Sequence, residues 1–198
     1  MLGYNCDLVA QKNLLLSIVS KNDVLLEILI KTQLLGLKNY YIGAGCICQT
    51  VWNYQNDKDL MYGISDIDFV YFDDSDISYE AEDFVIKKVK QQFLHLPVDI
   101  DVKNQARVHL WYKARYGYDI KPYTSLEEAI NTCPTTATSV GIRMVDKDLL
   151  VYAPFGLNDM FGQVIRANKT QITKDTYITK CQKWIAKWPT LKIIDWEE

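Results

Sequence analysis

An excess of positive charge is absent from this chain. Its 198 residues carry 22 Lys and Arg against 25 Asp and Glu, a net charge of −3, and the pI is about 5.5. A general nucleic-acid binder needs a basic face for phosphate contacts, so the composition argues against that class, though not against a local basic groove. Long apolar runs are also missing. No stretch approaches the roughly 20 residues of a membrane span, so no membrane partner is expected. The early patch LLLSIV has neither a charged flank nor a small-residue cleavage site, and it is not read as a signal peptide. The cysteines, Cys6, Cys46, Cys48, Cys133 and Cys181, are odd in number and form no repeated CxxC. Free thiols in a reducing cytoplasm are their expected state. Cys46 and Cys48 lack the spacing to His95 or His109 that a zinc site favours. They read instead as small buried residues beside a glycine turn. No internal repeat and no low-complexity linker interrupts the chain.

What is present suits a packed core: 48% hydrophobic and 24% charged residues, with 13 Tyr and 5 Trp. The length fits one domain. The pattern divides residues 1–198 into a helical N-terminal segment (1–38), a mixed core (39–160) and a helical tail (161–198). The class is therefore α+β, with a mixed sheet and flanking helices. Apolar residues recur at helical spacing from Leu8 to Lys31 with a break near Ser20, and Asp23 is placed to cap a second helix. A short strand at Asn39–Ile42 leads into Gly43-Ala44-Gly45 and then a helix from Cys46 to Tyr54. Ile64–Phe72 is β-prone. Ser78 opens a helix, Val98–Val102 is a strand, and Asn104–Tyr116 is helical up to Gly117. Ser139–Met144 and Leu149–Tyr152 form a hairpin around Asp146-Lys147-Asp148. Thr173 caps a last helix that ends before Pro189, and Trp184, Trp188 and Trp196 are placed to seal it onto the core.

The chemistry concentrates in SDIDFVYFDDSDIS, residues 65–78. On a strand, residues two apart share a face, so Asp66 and Asp68 point together, roughly 6.5 Å apart at Cα. Carboxylates so placed can converge on Mg²⁺ (or Mn²⁺), which takes oxygen ligands. Asp73, Asp74 and Asp76 lie past the strand and read as a turn and helix cap. Asp101, on the strand Val98–Val102, can complete a trio with Asp66 and Asp68, and Asp99 shares its face. Three acids in contact repel one another and raise their pKa values unless a cation sits between them. Upstream, Gly43, Ala44 and Gly45 follow a strand and precede a helix. That arrangement lets backbone N–H groups approach a phosphate.

Strand, GxG turn, helix, DxD strand and third acidic strand resemble the nucleotidyltransferase fold. The likeness is closer in YIGAGCICQTVWN, SDIDFVYFD, DVKNQARVHLWY, TATSVGIR and VYAPFGLNDMF. Together these runs are similar to a family of mainly bacterial nucleotidyltransferase-like proteins, over about Tyr40 to Trp196. The resemblance implies a fold of the DNA polymerase β type. It also implies Asp66, Asp68 and Asp101 as metal-binding and catalytic acids, and a nucleoside triphosphate as partner. The transfer would release pyrophosphate and modify a hydroxyl on RNA, protein or a small molecule. One departure stands out. Where the family's turn is expected to continue with Arg-Asn, this chain has Cys48-Gln49, so a phosphate-facing cation is missing unless Lys58 or Arg107 replaces it. The long segment Gln55–Gly63 is expected as an inserted loop near the site.

Arg107 has two readings, a bidentate phosphate clamp or an arginine that fixes a site carboxylate. Arg143 and Arg166 are weaker clamp candidates. His109 reads as a hydrogen-bonded structural residue. Two competing functions remain open. Asp101-Val102-Lys103 has the D-x-K form of a metal-dependent nuclease, and the Cys48-Gln49 departure allows a degenerate, non-catalytic nucleotide-binding module.

Overall fold

The side chains of Asp7, Asn22, Ser78, Ser125 and Thr173 each cap the start of a helix in the computed structural model, which describes residues 2–146 and 148–198. Met1 lies outside the described residues. So does Lys147, at the centre of the expected Asp146-Lys147-Asp148 turn. Asp7 caps α1 (Leu8–Val19) and Asn22 caps α2 (Asp23–Thr32). Strand β1 (Tyr40–Gly43) runs into α3 (Gly45–Gln55), and β2 (Asp66–Tyr71) is followed by α4 (Tyr79–Gln92), capped by Ser78. Then come β3 (Asp99–Asn104), a 3₁₀ turn at Gln105–Arg107, and α5 (Val108–Tyr116), which ends at left-handed Gly117. Ser125 caps α6 (Leu126–Asn131). The hairpin β4 (Gly141–Val145) and β5 (Asp148–Tyr152) follows, then α7 (Asn158–Phe161) and β6 (Val164–Ile165). Thr173 caps α8 (Lys174–Lys187), and β7 (Lys192–Ile193) comes last.

The cap of α2 is Asn22, not the expected Asp23. The Asn22 side chain accepts the Leu25 N–H at 3.2 Å and also donates to Thr50 Oγ1 at 3.2 Å and to the Leu60 carbonyl at 3.3 Å. Only an amide can do both, because a carboxylate has no donor. Asp23 becomes the first-turn acid, where the helix dipole favours it. The C-terminal stretch is not wholly helical either: β6 and β7 pair in parallel. Among the described residues, no helix is long and apolar enough to cross a membrane.

Five strands form one mixed sheet in the order β3-β2-β1-β4-β5. Only β2 and β3 run parallel, in the register Ile67↔Ile100, Asp68↔Asp101 and Phe69↔Val102. Burial along both strands alternates. Ile67, Phe69, Ile100 and Val102 therefore enter the main core, with Ile47, Val51 and Trp52 of α3 and Val89 of α4. The opposite face carries Asp66, Asp68 and Val70 beside Asp99, Asp101 and Lys103. It is covered only in part, where Leu126 and Ile130 of α6 pack on Tyr41, Val70 and Phe72.

The tail is bound by tryptophan packing. Trp52 meets Trp184 at 5.9 Å and Trp188 at 5.6 Å between ring centroids, both edge-on. Trp188 Nε1 donates to Asn53 Oδ1 at 2.8 Å. The segment Gln55–Gly63 folds toward this junction. Asn53 Nδ2 donates to the carbonyls of Leu60 and Tyr62, and Lys187 Nζ donates to that of Gly63. Trp52→Ala should lower the unfolding free energy by about 3–5 kcal/mol in urea titrations. A loss below about 1 kcal/mol would show that the tail is not held through Trp52.

Candidate active site

The alternation of β2 and the register with β3 bring three carboxylates together. One oxygen each from Asp66, Asp68 and Asp101 lies within 4.8 Å of the others. Burial lifts the Asp68 carboxyl to about 6. Lys103 opposes that rise, Asp66 and Asp101 add to it, and Lys180 opposes it again. Lys103 Nζ donates to Asp101 Oδ2, so strand alternation supplies a counter-ion two residues from the acid it neutralises. Asp99, the ambiguous fourth acid, is drawn away by Lys90 at 2.9 Å. Asp73 and Asp76 behave as turn residues. Asp73 Oδ1 accepts the Ser75 N–H and Asp76 Oδ1 accepts the Ser78 N–H. Asp74 is exposed.

Asp66, Asp68 and Lys103 line a cleft of about 450 Å³. Gly43, Ala44, Gly45 and Gln49 line it from the turn and α3, and Lys180 and Trp184 from α8. Ala44 sits at φ 57°, ψ −127°, a conformation usually left to glycine. Its N–H is committed to the Val140 carbonyl at 2.9 Å. Of the three turn residues, Ala44 therefore contributes shape rather than a phosphate donor. The first-turn N–H groups of Gly45 and Cys46 have no intrahelical acceptor, and no described protein acceptor meets them. A Cβ at Gly45 would come within 2.9 Å of Gln49 Nε2.

The expected arginine clamp does not line this cleft. Arg107 is 8% exposed. Its Nη1 donates to Glu82 of α4, and its Nε donates to the Ile77 carbonyl at 2.8 Å. The other Glu82 oxygen accepts the Asn104 N–H at 2.8 Å. Asn104 in turn clasps both backbone groups of Asp73, accepting from N at 3.0 Å and donating to O at 2.7 Å. The guanidinium thus fixes a carboxylate, but that carboxylate belongs to α4 and not to the trio. The network locks the ends of β2 and β3 to the start of α4. The other proposed cations are occupied as well. Lys58 lies over the Tyr62 ring, Arg143 donates to the Lys38 carbonyl, and Arg166 bonds Asp159. The Gln55–Gly63 loop does not line the cleft.

Position 48 also reads differently in three dimensions. Cys48 is 0% exposed and donates its thiol to the Ala137 carbonyl at 2.7 Å. It lies in the core, while Gly45, Cys46 and Gln49 line the cleft. The Cys48 departure therefore removes no cation from the cleft wall. Cys133 lines the cleft with its thiol pushed up to about 12, first by burial and then by the Asp68 charge. Burial likewise raises the Cys46 thiol, so neither is a thiolate nucleophile near neutral pH. His109 Nδ1 is buried without a hydrogen-bond partner, contrary to the expected satisfied histidine.

Several site residues escaped the sequence reading. Tyr116, Tyr118, Tyr123 and Gln171 line the cleft, and Lys180 is its cation from α8. The signal for Lys180 was helical spacing: it falls between Tyr177 and Trp184 on a stripe that should be apolar.

The family model described as "Nucleotidyltransferase" matches residues 31–193. No curated protein matches the chain. Among solved structures, the chain is similar to one described as an NMR structure that reveals a CCA-adding enzyme head domain. The two are 26% identical with a TM-score of 0.74, over 93% of this chain and 96% of that one.

Two outcomes follow from the site electrostatics. Asp68 binds its proton more tightly when folded, so its contribution to stability is present below pH ~4 and lost as pH rises through about 6. Asp68→Asn should therefore raise the stability of metal-free protein at pH 7.5, by on the order of 2 kcal/mol. The gain should vanish near pH 4 in denaturant titrations with chelator, and equal gains at both pH values would contradict the assignment. Arg107→Met should cost about 3–5 kcal/mol by leaving Glu82 buried and unpaired, and adding Glu82→Gln should restore most of it. No recovery in the double variant would mean that Arg107 acts elsewhere.

Proposed function

This chain belongs to the nucleotidyltransferase family, and we propose that it moves a nucleoside monophosphate from a nucleoside triphosphate to a hydroxyl acceptor, with pyrophosphate leaving. One observation carries the reading: Asp66 and Asp68, two members of a converged carboxylate trio, line the same cleft as Gly45 and Cys46, whose N–H groups at the start of α3 are uncommitted. The donor set is entirely oxygen, which suits Mg²⁺ or Mn²⁺ rather than a thiolate-bound metal. The fit is also electrostatic, since Asp68 resists ionisation without a nearby cation. Asp66, Asp68 and Asp101 would hold the ion or ions, which when bound neutralise charge on the reacting phosphate and on the departing pyrophosphate.

The rest falls to the chain itself. The N–H groups of Gly45 and Cys46, at the positive end of α3, bind phosphate oxygens. The missing side chain at Gly45 keeps that approach open. In this reading Asp101, the third acid of the trio and ion-paired with Lys103, takes the proton of the attacking hydroxyl. The cleft volume suits one small ligand of nucleotide size. The five cysteines are all unpaired, which supports a reducing cytoplasm as the working compartment. A nuclease built on Asp101 and Lys103 would leave the glycine turn without a role.

The test supplies labelled nucleoside triphosphates one at a time with Mg²⁺ or Mn²⁺ and follows pyrophosphate release and label transfer. Asp66→Asn and Asp68→Asn should each slow turnover by about 100-fold or more. The reading fails if metal-replete protein binds no nucleoside triphosphate and these substitutions change nothing. DNA cleavage abolished by Lys103→Ala would favour the nuclease. Nucleotide binding without turnover across acceptors would favour a binding module.

A further inference from the structure

A polyphosphate entering this cleft needs protein cations, and nearly all the candidates near it are already committed. Lys103 is held by Asp101 and Arg107 by Glu82. Lys58, Arg143 and Arg166 are engaged away from the cleft. Lys180 is the exception. It lines the cleft together with Asp66 and Asp68, and among the described residues no acid pairs with it and no acceptor bonds it. Its Nζ lies over the Trp184 ring, 5.7 Å from the centroid, a contact that steadies the ammonium and leaves its N–H donors unspent.

We propose that Lys180 is the cation that holds the polyphosphate of the incoming nucleotide, so that α8 completes a phosphate site begun by the first turn of α3. The inference rests on the nucleotidyltransferase reading and adds a residue from the C-terminal helix to it. The two halves of the site are rigidly related. Trp52, on the same helix as the glycine turn, packs against Trp184, one turn beyond Lys180. The ammonium is therefore preorganised relative to the N–H groups of Gly45 and Cys46, and the gap left by committed Lys103 and Arg107 is filled without either of them. A point charge suits the β- and γ-phosphates, which become the leaving pyrophosphate, better than it suits a neutral sugar or base.

The test measures calorimetric binding of inorganic triphosphate, pyrophosphate and a nucleoside monophosphate, with Mg²⁺, to wild type, Lys180→Gln, Lys180→Arg and the distant control Lys58→Ala. Lys180→Gln should weaken triphosphate and pyrophosphate binding by about 10-fold or more and flatten the salt dependence. Monophosphate binding and the melting temperature should not move. Lys180→Arg should recover most of the affinity, and Lys58→Ala should match wild type. Equal triphosphate affinity in wild type and Lys180→Gln overturns the assignment of Lys180 alone if wild type still turns over nucleotide. Parallel losses for triphosphate and monophosphate also overturn it, because they mark a general role in the cleft. If wild type binds neither triphosphate nor any nucleotide, the nucleotidyltransferase reading fails and the Lys180 assignment falls with it.

Discussion

The parallel register of β2 and β3 is the constraint on which the rest depends. It sets Asp68 beside Asp101 in one step of the ladder, with Asp66 two residues away on the same face. The same register sends Ile67, Phe69, Ile100 and Val102 into the core. A one-residue slip would bury the acids and expose the apolar residues. The hydrophobic face thus fixes an electrostatically costly arrangement on the other face. Lys103 offsets part of the cost within β3 itself.

The ends of these strands need their own lock. Glu82, Arg107 and Asn104 supply it by joining the end of β3, the turn after β2 and the start of α4. Buried ion pairs add little net stability, because desolvation consumes most of their attraction. What this pair contributes is position: with one guanidinium spent on Glu82, the aspartate turn and the 3₁₀ segment hold one relationship to the carboxylates. The cleft therefore stands between a fixed floor of strand acids and a wall of helix α8 fixed by tryptophans.

Local chemistry was legible in the sequence, and long-range partnership was not. The alternation of Asp66-Ile67-Asp68-Phe69, the caps at Ser78 and Thr173, and the left-handed stop at Gly117 depend on neighbours within a turn or two. So does the split between the strand aspartates and the turn aspartates. Arg107 was visible as a special arginine, but its choice of Glu82 over a phosphate depends on a helix 25 positions away. Cys48 looked like a missing cation because a motif gives no direction, and helical geometry turned that position into the core. Asn22 displaced Asp23 as a cap because Thr50 and Leu60, from distant chain, required a donor. Tyr116, Tyr118, Tyr123 and Lys180 carried no motif at all, and for Lys180 there was only a spacing whose meaning depends on what α8 packs against.

The tryptophan junction also has a consequence in time. Synthesis runs from the N-terminus, and Asn53 and Trp188 are separated by 135 positions. The aspartate strands and the glycine turn can leave the ribosome well before α8, but Trp52 on α3 then lacks the rings of Trp184 and Trp188. Closing so distant a contact is slow compared with forming a local helix. Until it closes, the cleft lacks the side that Lys180 and Trp184 supply. The tryptophan junction and the cleft should therefore be completed together, late, with the docking of a single helix.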